Sequence, residues 1–448
     1  MRVAVIGGGI SGLTAAHALA AGGHDVVCIE PVAPAGGVVR SERHQGFLCE
    51  TGPQALLDGA PATRQLIDSL GLQGRVLPTL PSAKRRFLYR DGRLQALPTS
   101  PPALLRSSLL SLGGKLRLLR EPFIRKPATV DPDETVLAFG TRRFGAEAAR
   151  HLLAPAVIGI YAADAGTLAV QAALPRIAGF ERARGSVLRG AIAARKQGHG
   201  AGKTVSFPDG LQELTAAIAA RLGDRLLSGK AAAIERRGSR WSVAVDGRTN
   251  PVDADAVVIA ATASASAALL EPLAPRAAAA LRAVPHAPAA VVSLGFSGPS
   301  PALGMDLDAY GFIVPRGEGV DYLLGCQYES SIFAHRAPEG GVLLRAILGG
   351  TFHPDVIDKT DDAIAALAIG DIGRVAGLKR NPDLVRVWRH RAGLPQYRPG
   401  HAQLVAQAET DLARPSASGL YLLGQPLFGV GVNDCIAAAS ALAARLPA

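Results

Sequence analysis

Cysteine is scarce in this chain, with four among 448 residues. Cys28, Cys49, Cys326 and Cys435 are scattered and no two form a CxxC pair. That excludes a disulfide framework and a cysteine metal site, so no metal is expected and the thiols read as inert ones in a reducing compartment. Acidic residues are also in deficit, 37 against 48 Lys and Arg, for a net charge of +11. Such a balance favours acidic small molecules, anionic lipid or nucleic acid as partners. No RNP-type or zinc-finger signature accompanies it, so nucleic acid is set aside. No apolar run reaches the roughly 20 residues a membrane-spanning helix needs. The apolar N-terminus runs into a glycine cluster rather than a cleavage site. The expectation is a cytoplasmic protein, soluble or peripheral on a membrane.

The length predicts two or three domains, because one core rarely keeps growing this far. Arg2–Ile6 reads as a buried strand, Ile10–Ala21 as a helix and Asp25–Ile29 as a second strand ending at Glu30. Gly7, Gly9 and Gly12 join the first two in GxGxxG spacing. Gly7 permits the tight turn, Gly9 lets backbone approach a pyrophosphate, and Gly12 lets helix and strand pack closely. The helix N-terminus offers amide donors and a positive dipole end to the phosphates. Glu30 is spaced to accept from ribose hydroxyls. GxGxxG alone is a weak sign, but strand, helix, second strand and acid in register make a dinucleotide fold the expectation.

Flavin rather than nicotinamide is indicated by both chain ends together. Gly36-Gly37, on its own an ordinary turn, is followed by Arg40-Ser41 and Glu50-Thr51-Gly52-Pro53. At the far end a strand over Gly419–Leu423 leads to Gly424, Gly429 and Gly431 and then to a helix from Val432 through Leu446. A second helix N-terminus of this kind can stabilise negative charge on a reduced isoalloxazine. FAD held by both ends of the chain is the expectation.

On these residues the chain resembles the amine-oxidase-type FAD superfamily and, within it, the protoporphyrinogen oxidase family. The more specific segments are Lys84–Tyr89, Gly159-Ile160-Tyr161-Ala162, Phe207–Leu211, Gly311–Pro315, Gly349-Gly350, Leu394–Tyr397 with Gly400-His401, and above all Gly429–Ile436. The resemblance implies an α/β fold: a Rossmann-like FAD-binding domain from 1–75, 205–265 and 400–448, a mixed-sheet substrate domain over 76–95 and 266–399, and an inserted helical domain over 96–204. Apolar runs at Ala254–Ala261, Ala289–Phe296 and Val342–Leu348 read as strands of the first two. Beyond the glycines and Glu30 it implies cofactor contacts at Ile10, Ser11, Arg40, Gly52 and Pro53. It implies others at Ala232, Ala261, Trp388, Gly424 and Val430.

A porphyrinogen is a flat apolar macrocycle bearing carboxylates, so its pocket needs apolar walls and a cation. The resemblance assigns the cation to Arg86, whose planar guanidinium suits a carboxylate. By itself Arg86 is a solvated member of the Lys84-Arg85-Arg86 run. The resemblance places walls at Phe87, Ile313 and Ile347, which otherwise read as core, and backbone approach at Gly159. It implies oxidation of protoporphyrinogen IX by hydride transfer to the flavin in three cycles, with O2 as acceptor. Much of that chemistry is the cofactor's. No side chain is singled out as acid or base; His286, His390 and His401 are available, but a lone histidine is more often structural.

Coproporphyrinogen III, with four carboxylates, is the nearest alternative substrate. Amine oxidation, carotenoid desaturation and flavin binding without turnover stand further off. Three departures from the family pattern bear on the site. Pro34 stands where a basic residue is usual, Ala163 replaces a glycine, and Gln425–Phe428 replaces an Asn-containing turn. Between Leu97 and Lys126 six basic residues face one acid, Glu121, with leucines at helical spacings. That stretch reads either as a membrane-surface element or as a solvated helix face. A downstream tetrapyrrole enzyme and a monomeric or homodimeric state complete the expectations.

Overall fold

Val3, Ala4, Val5 and Ile6 are all buried, alternate residues entering two different cores. The reason is their place in the computed structural model, which describes residues 1–197, 202–298 and 300–447. Arg2–Ile6 is the middle of five parallel strands in the order Leu226–Ser228, Asp25–Glu30, Arg2–Ile6, Ala256–Ile259, Leu420–Leu422. A parallel sheet must be covered on both faces, so its strands read as continuous apolar runs. Val3 and Val5 pack on Leu13, Ile218 and Ile436 of the helices Ile10–Ala21, Gln212–Leu222 and Val432–Ala443. Ala4 and Ile6 share the other core with Trp241 and Val243 of a three-stranded antiparallel sheet over 231–254, and with Leu281.

A seven-stranded mixed sheet lies beyond. Its order is Leu384–Pro395, His286–Phe296, Val342–Gly349, Leu323–Gln327, Gly311–Ile313, Phe87–Arg90, Arg93–Ala96. Gly311–Ile313 and Phe87–Arg90 run parallel, and the other neighbours are antiparallel. Period-2 alternation gives this sheet two characters. Leu344, Ala346 and Leu348 pack with Ile364, Ala368 and Ile372 of the helix Asp361–Ala376. Leu343, Arg345 and Ile347 project from the opposite face.

Residues 101–197 form short helices, several opened by Ser or Thr side chains that accept from the third residue on (Ser100, Ser111, Thr135, Ser186). The basic stretch is two helices, Pro101–Arg106 and Leu112–Leu119, rather than one. Its lone acid, Glu121, is wholly buried and ion-paired to the equally buried Arg143. Glu121 also accepts from Ser186 Oγ (2.6 Å) and the Val187 and Leu188 amides (2.9 and 3.2 Å). Burial would raise its carboxyl, but these donors together with Arg143 hold it below the usual carboxylate range. Among the described residues no helix is long and apolar enough to cross a membrane.

Candidate active site

The glycine turn after the first strand is fixed by contacts only glycine allows. Gly7 has φ +105°, and a Cβ there would fall 2.6 Å from the Ala260 carbonyl oxygen. A Cβ on Gly12 would fall 1.8 Å from Gly7 O. Gly9, in contrast, has nothing within 4 Å of where its Cβ would be, so the turn faces open space there. The second glycine pair is pressed against the first: Gly36 N donates to Gly8 O (2.8 Å), and a Cβ on Gly37 would sit 3.1 Å from Gly9 Cα. Arg40 braces this second turn, donating to Gly37 O and Pro34 O (both 3.2 Å). Glu30 accepts from Gly8 N (2.5 Å) and Val32 N (2.9 Å), which holds its carboxylate at the rim.

These turns wall a cavity of about 730 Å³, within the usual size of a cofactor site. It brings together Gly7, Gly9, Ile10, Ser11, Glu30, Gly36, Gly37, Arg40, Ala261 and Gly424 from widely separated segments. Gly12 stands behind the turn it enables. Gly52 backs the wall as well, where a Cβ would meet Val38 O at 2.0 Å, and half-buried Pro53 follows without lining the cavity. Gly429, Val430 and Gly431 lie one layer out, in a turn tied by Tyr397. The Tyr397 hydroxyl accepts from Gly429 N (3.0 Å) and donates to Gln425 O, while Gln425 Nε2 donates to Val430 O (2.8 Å). Gly431 caps the helix Val432–Ala443, with Asp434 accepting from its amide (3.0 Å).

Two residues stand apart. Ala232 is exposed on its strand, and its neighbours Lys230 and Ala231 reach the cavity instead. Trp388 packs with Phe47 and Leu343 and does not line the cavity. The cavity also takes in Thr262–Ala265, where Thr262 caps the helix Ala263–Leu270 and turns another N-terminus toward it. The Thr-Ala-Ser-Ala run after an apolar strand that ends in small residues is the signal for that helix start. His286 lines the cavity too; burial keeps its ring below the usual histidine range, so it is neutral near pH 7. His390 and His401 are held neutral by burial in the same way and bond to Thr51 O (2.7 Å) and Leu427 O (3.5 Å).

Beside the cavity the strand Leu384–Pro395 passes from Ala392 and Gly393, which line it, to Leu394. Leu394 packs with Ile313, Ile347 and Phe352 in an apolar cluster, and a Cβ on Gly159 would be 3.2 Å from Ile313 Cδ1. Three of the five expected substrate residues are thus neighbours. Phe87 pairs with Phe312 and faces the Asp361–Ala376 side, where both belong to the other core. Arg86, one residue earlier, is on Ile313's face; it is exposed, with its guanidinium 4.5 Å from the Tyr310 ring centroid. Ala163 lies in the core of the helical region. Ala162 instead approaches the sheet: a Cβ on Gly350 would be 2.2 Å from Ala162 O, which explains the second glycine of that pair.

The family model for flavin-containing amine oxidoreductases matches residues 10–447. The chain belongs to that family. It is therefore an FAD-dependent oxidoreductase of α/β fold, and the cavity fits the cofactor, with glycine walls, two helix N-termini and an acid at one rim. The chain is 28% identical to the coproporphyrinogen III oxidase of Bacillus subtilis (strain 168) over 457 residues, covering 97% of this chain and 95% of that one. It is 31% identical to the Homo sapiens protoporphyrinogen oxidase over 477 residues, covering 97% and 96%. Among solved structures, a protein from Exiguobacterium sp. 255-15 provisionally named protoporphyrinogen oxidase shares the fold with a TM-score of 0.83. The two are 23% identical, with 99% of this chain and 98% of that one covered.

Proposed function

We propose that the chain oxidises protoporphyrinogen IX to protoporphyrin IX in tetrapyrrole biosynthesis, with O2 as final acceptor. The observation that carries this reading is the apolar cluster of Gly159, Ile313, Ile347 and Leu394 adjoining the glycine-walled cavity, with Arg86 on the same face of the sheet. FAD, when bound, supplies the two-electron oxidising capacity of each cycle. The chain's residues bind, orient and keep water away. Arg86 takes a propionate, and its neighbour Arg85 is unavailable because Asp306 and Asp308 neutralise it (3.1 and 2.8 Å). The isoleucines and Leu394 cover the macrocycle. Gly159, lacking a side chain, leaves its carbonyl open to a pyrrole N–H.

Coproporphyrinogen III is the second reading, favoured by one feature. Arg316 lies 4.9 Å from the centroid of Phe352, itself part of the apolar cluster, and offers another exposed cation to a substrate with more carboxylates. Side-by-side turnover of the two porphyrinogens, followed by porphyrin fluorescence with O2 consumption, separates them. Failure on both with FAD bound would sink the proposal.

A peripheral position on the inner face of an anionic membrane goes with a hydrophobic substrate. Supporting it, Leu112 and Phe123 are 79% and 78% exposed, with Leu105, Leu116 and Leu119 also uncovered and Arg120, Arg125 and Lys126 around them.

A further inference from the structure

The Arg86 guanidinium forms no ion pair or hydrogen bond among the described residues; its contact is the face of Tyr310. Tyr310 is fixed at both its ends. Its amide donates to Arg85 O (2.7 Å) and its carbonyl accepts from Tyr328 N (2.9 Å), which sets the backbone beside Arg86. Its hydroxyl reaches into a buried polar cluster built from four separate segments. There Gln54 is satisfied when its carboxamide oxygen accepts from Tyr310 Oη (2.8 Å) and Gln327 Nε2 (3.1 Å), and its nitrogen donates to the Glu329 carboxylate (2.8 Å to Oε2).

Glu329 is 1% exposed and opposes two arginines, Arg345 and Arg336, that are also buried. Arg345 donates to Gln327 Oε1 (2.7 Å) and to the Gly52 carbonyl, and Arg336 pairs with the buried Glu50 (3.2 Å). Burial pushes the Glu50 carboxyl up to about 7 and raises that of Glu329 while the arginines oppose the rise, and the bonds to Tyr310, Gln327 and Glu329 leave Gln54 little freedom to turn. Arg336 Nε and Nη1 and Arg345 Nε have no partner there, so the geometry of the anchor is set by the bonds at Gln54 itself.

We propose that Tyr310 is a positioning residue for Arg86. Its ring, anchored through Gln54 to Glu329, is the shelf that holds the guanidinium toward a substrate carboxylate. A cation on an aromatic face loses fewer orientations than one free in water, so the carboxylate meets a guanidinium already aimed. The proposal rests on Arg86 binding a substrate carboxylate, as put forward above.

The test uses the full chain loaded with FAD and compares protoporphyrinogen IX with its dimethyl ester, which lacks the charge Arg86 would recognise. The readout is the ratio of kcat/KM for the diacid to that for the ester. Arg86→Ala and Tyr310→Ala should each lower this ratio about tenfold, and the double variant should lower it little further. Tyr310→Phe keeps the ring and loses the anchor, so the ratio should fall by roughly threefold. A Tyr310→Ala ratio equal to wild type, with Arg86→Ala lowered, overturns this proposal alone. An unchanged ratio in Arg86→Ala overturns both it and the reading of Arg86. If Tyr310→Ala does not fold, Tyr310→Phe decides, and an unchanged ratio there overturns the proposal.

Discussion

Gly9 and Gly12 are three residues apart in one turn, yet alanine at each should fail in a different way. A Cβ on Gly12 would lie 1.8 Å from the Gly7 carbonyl oxygen and 3.3 Å from Ala260 Cβ. The clash is with backbone, so no rotamer relieves it, and the helix Ile10–Ala21 must move off the sheet. Overpacking of this kind costs about 1–3 kcal/mol, and the closeness of the contact puts Gly12→Ala at the upper end, about 3 kcal/mol. Gly9 has φ −74° and ψ 178°, which alanine adopts freely, and no protein atom lies within 4 Å of its added methyl. Gly9→Ala should therefore leave the FAD-free protein within about 1 kcal/mol of wild type. What the methyl would meet is the pyrophosphate, so FAD affinity should drop at least tenfold, or about 1.4 kcal/mol. Urea unfolding of the stripped proteins and titration with FAD, followed by flavin fluorescence quenching, read the two quantities separately. Wild-type FAD affinity in Gly9→Ala would refute the placement of the pyrophosphate. Wild-type stability in Gly12→Ala would refute the packing argument.

Arg143→Leu strands the Glu121 carboxylate in the interior and should cost about 3–5 kcal/mol in urea unfolding; a loss under 1 kcal/mol would mean that Ser186 and the two amides suffice. His286, His390 and His401 are each held below the usual value of about 6.5 by burial. The unfolded chain thus takes up protons first, so stability is full above pH 6.5 and is lost as pH falls from there toward the folded values. Because Glu50, raised to about 7 by burial, works the other way, the comparison is with His390→Gln, whose melting temperature should fall less than wild type between pH 7.5 and 5.5; an equal fall would contradict a neutral His390. Leu112→Ser with Phe123→Ser should weaken sedimentation with phosphatidylserine-containing vesicles severalfold without altering the flavin spectrum; equal binding would leave that surface without its proposed role.

The dinucleotide fold was legible because its determinants are local. The strand Arg2–Ile6, the glycines at 7, 9 and 12, and Glu30 lie within thirty residues, and their spacing follows from turn and helix geometry alone. The apolar runs around 256–259 and 420–422 were legible too, since a strand buried on both faces is apolar throughout. The helical insertion was read less completely. Leucines at helical spacings marked a basic stretch across 97–126, but Ser107 to Ser111 break it into two short helices, and Gly113 and Gly114 fall in the first turn of the second.

Sequence alone determined that this chain binds a dinucleotide cofactor in a glycine turn, and its motifs carried the family. The tertiary structure decided which side chains share a face. Phe87 and Ile313 both read as pocket wall, yet the register of Phe87 on Phe312 turns Phe87 to the opposite side of the sheet. Nothing near residue 87 in the chain records that pairing, because a slip of one residue would reverse it. Arg336, Arg345, Glu50 and Glu329 look like ordinary surface charges in sequence and are nonetheless buried together. Charges enter an interior only when partners from other segments meet them there, and only the folded chain brings those partners into contact.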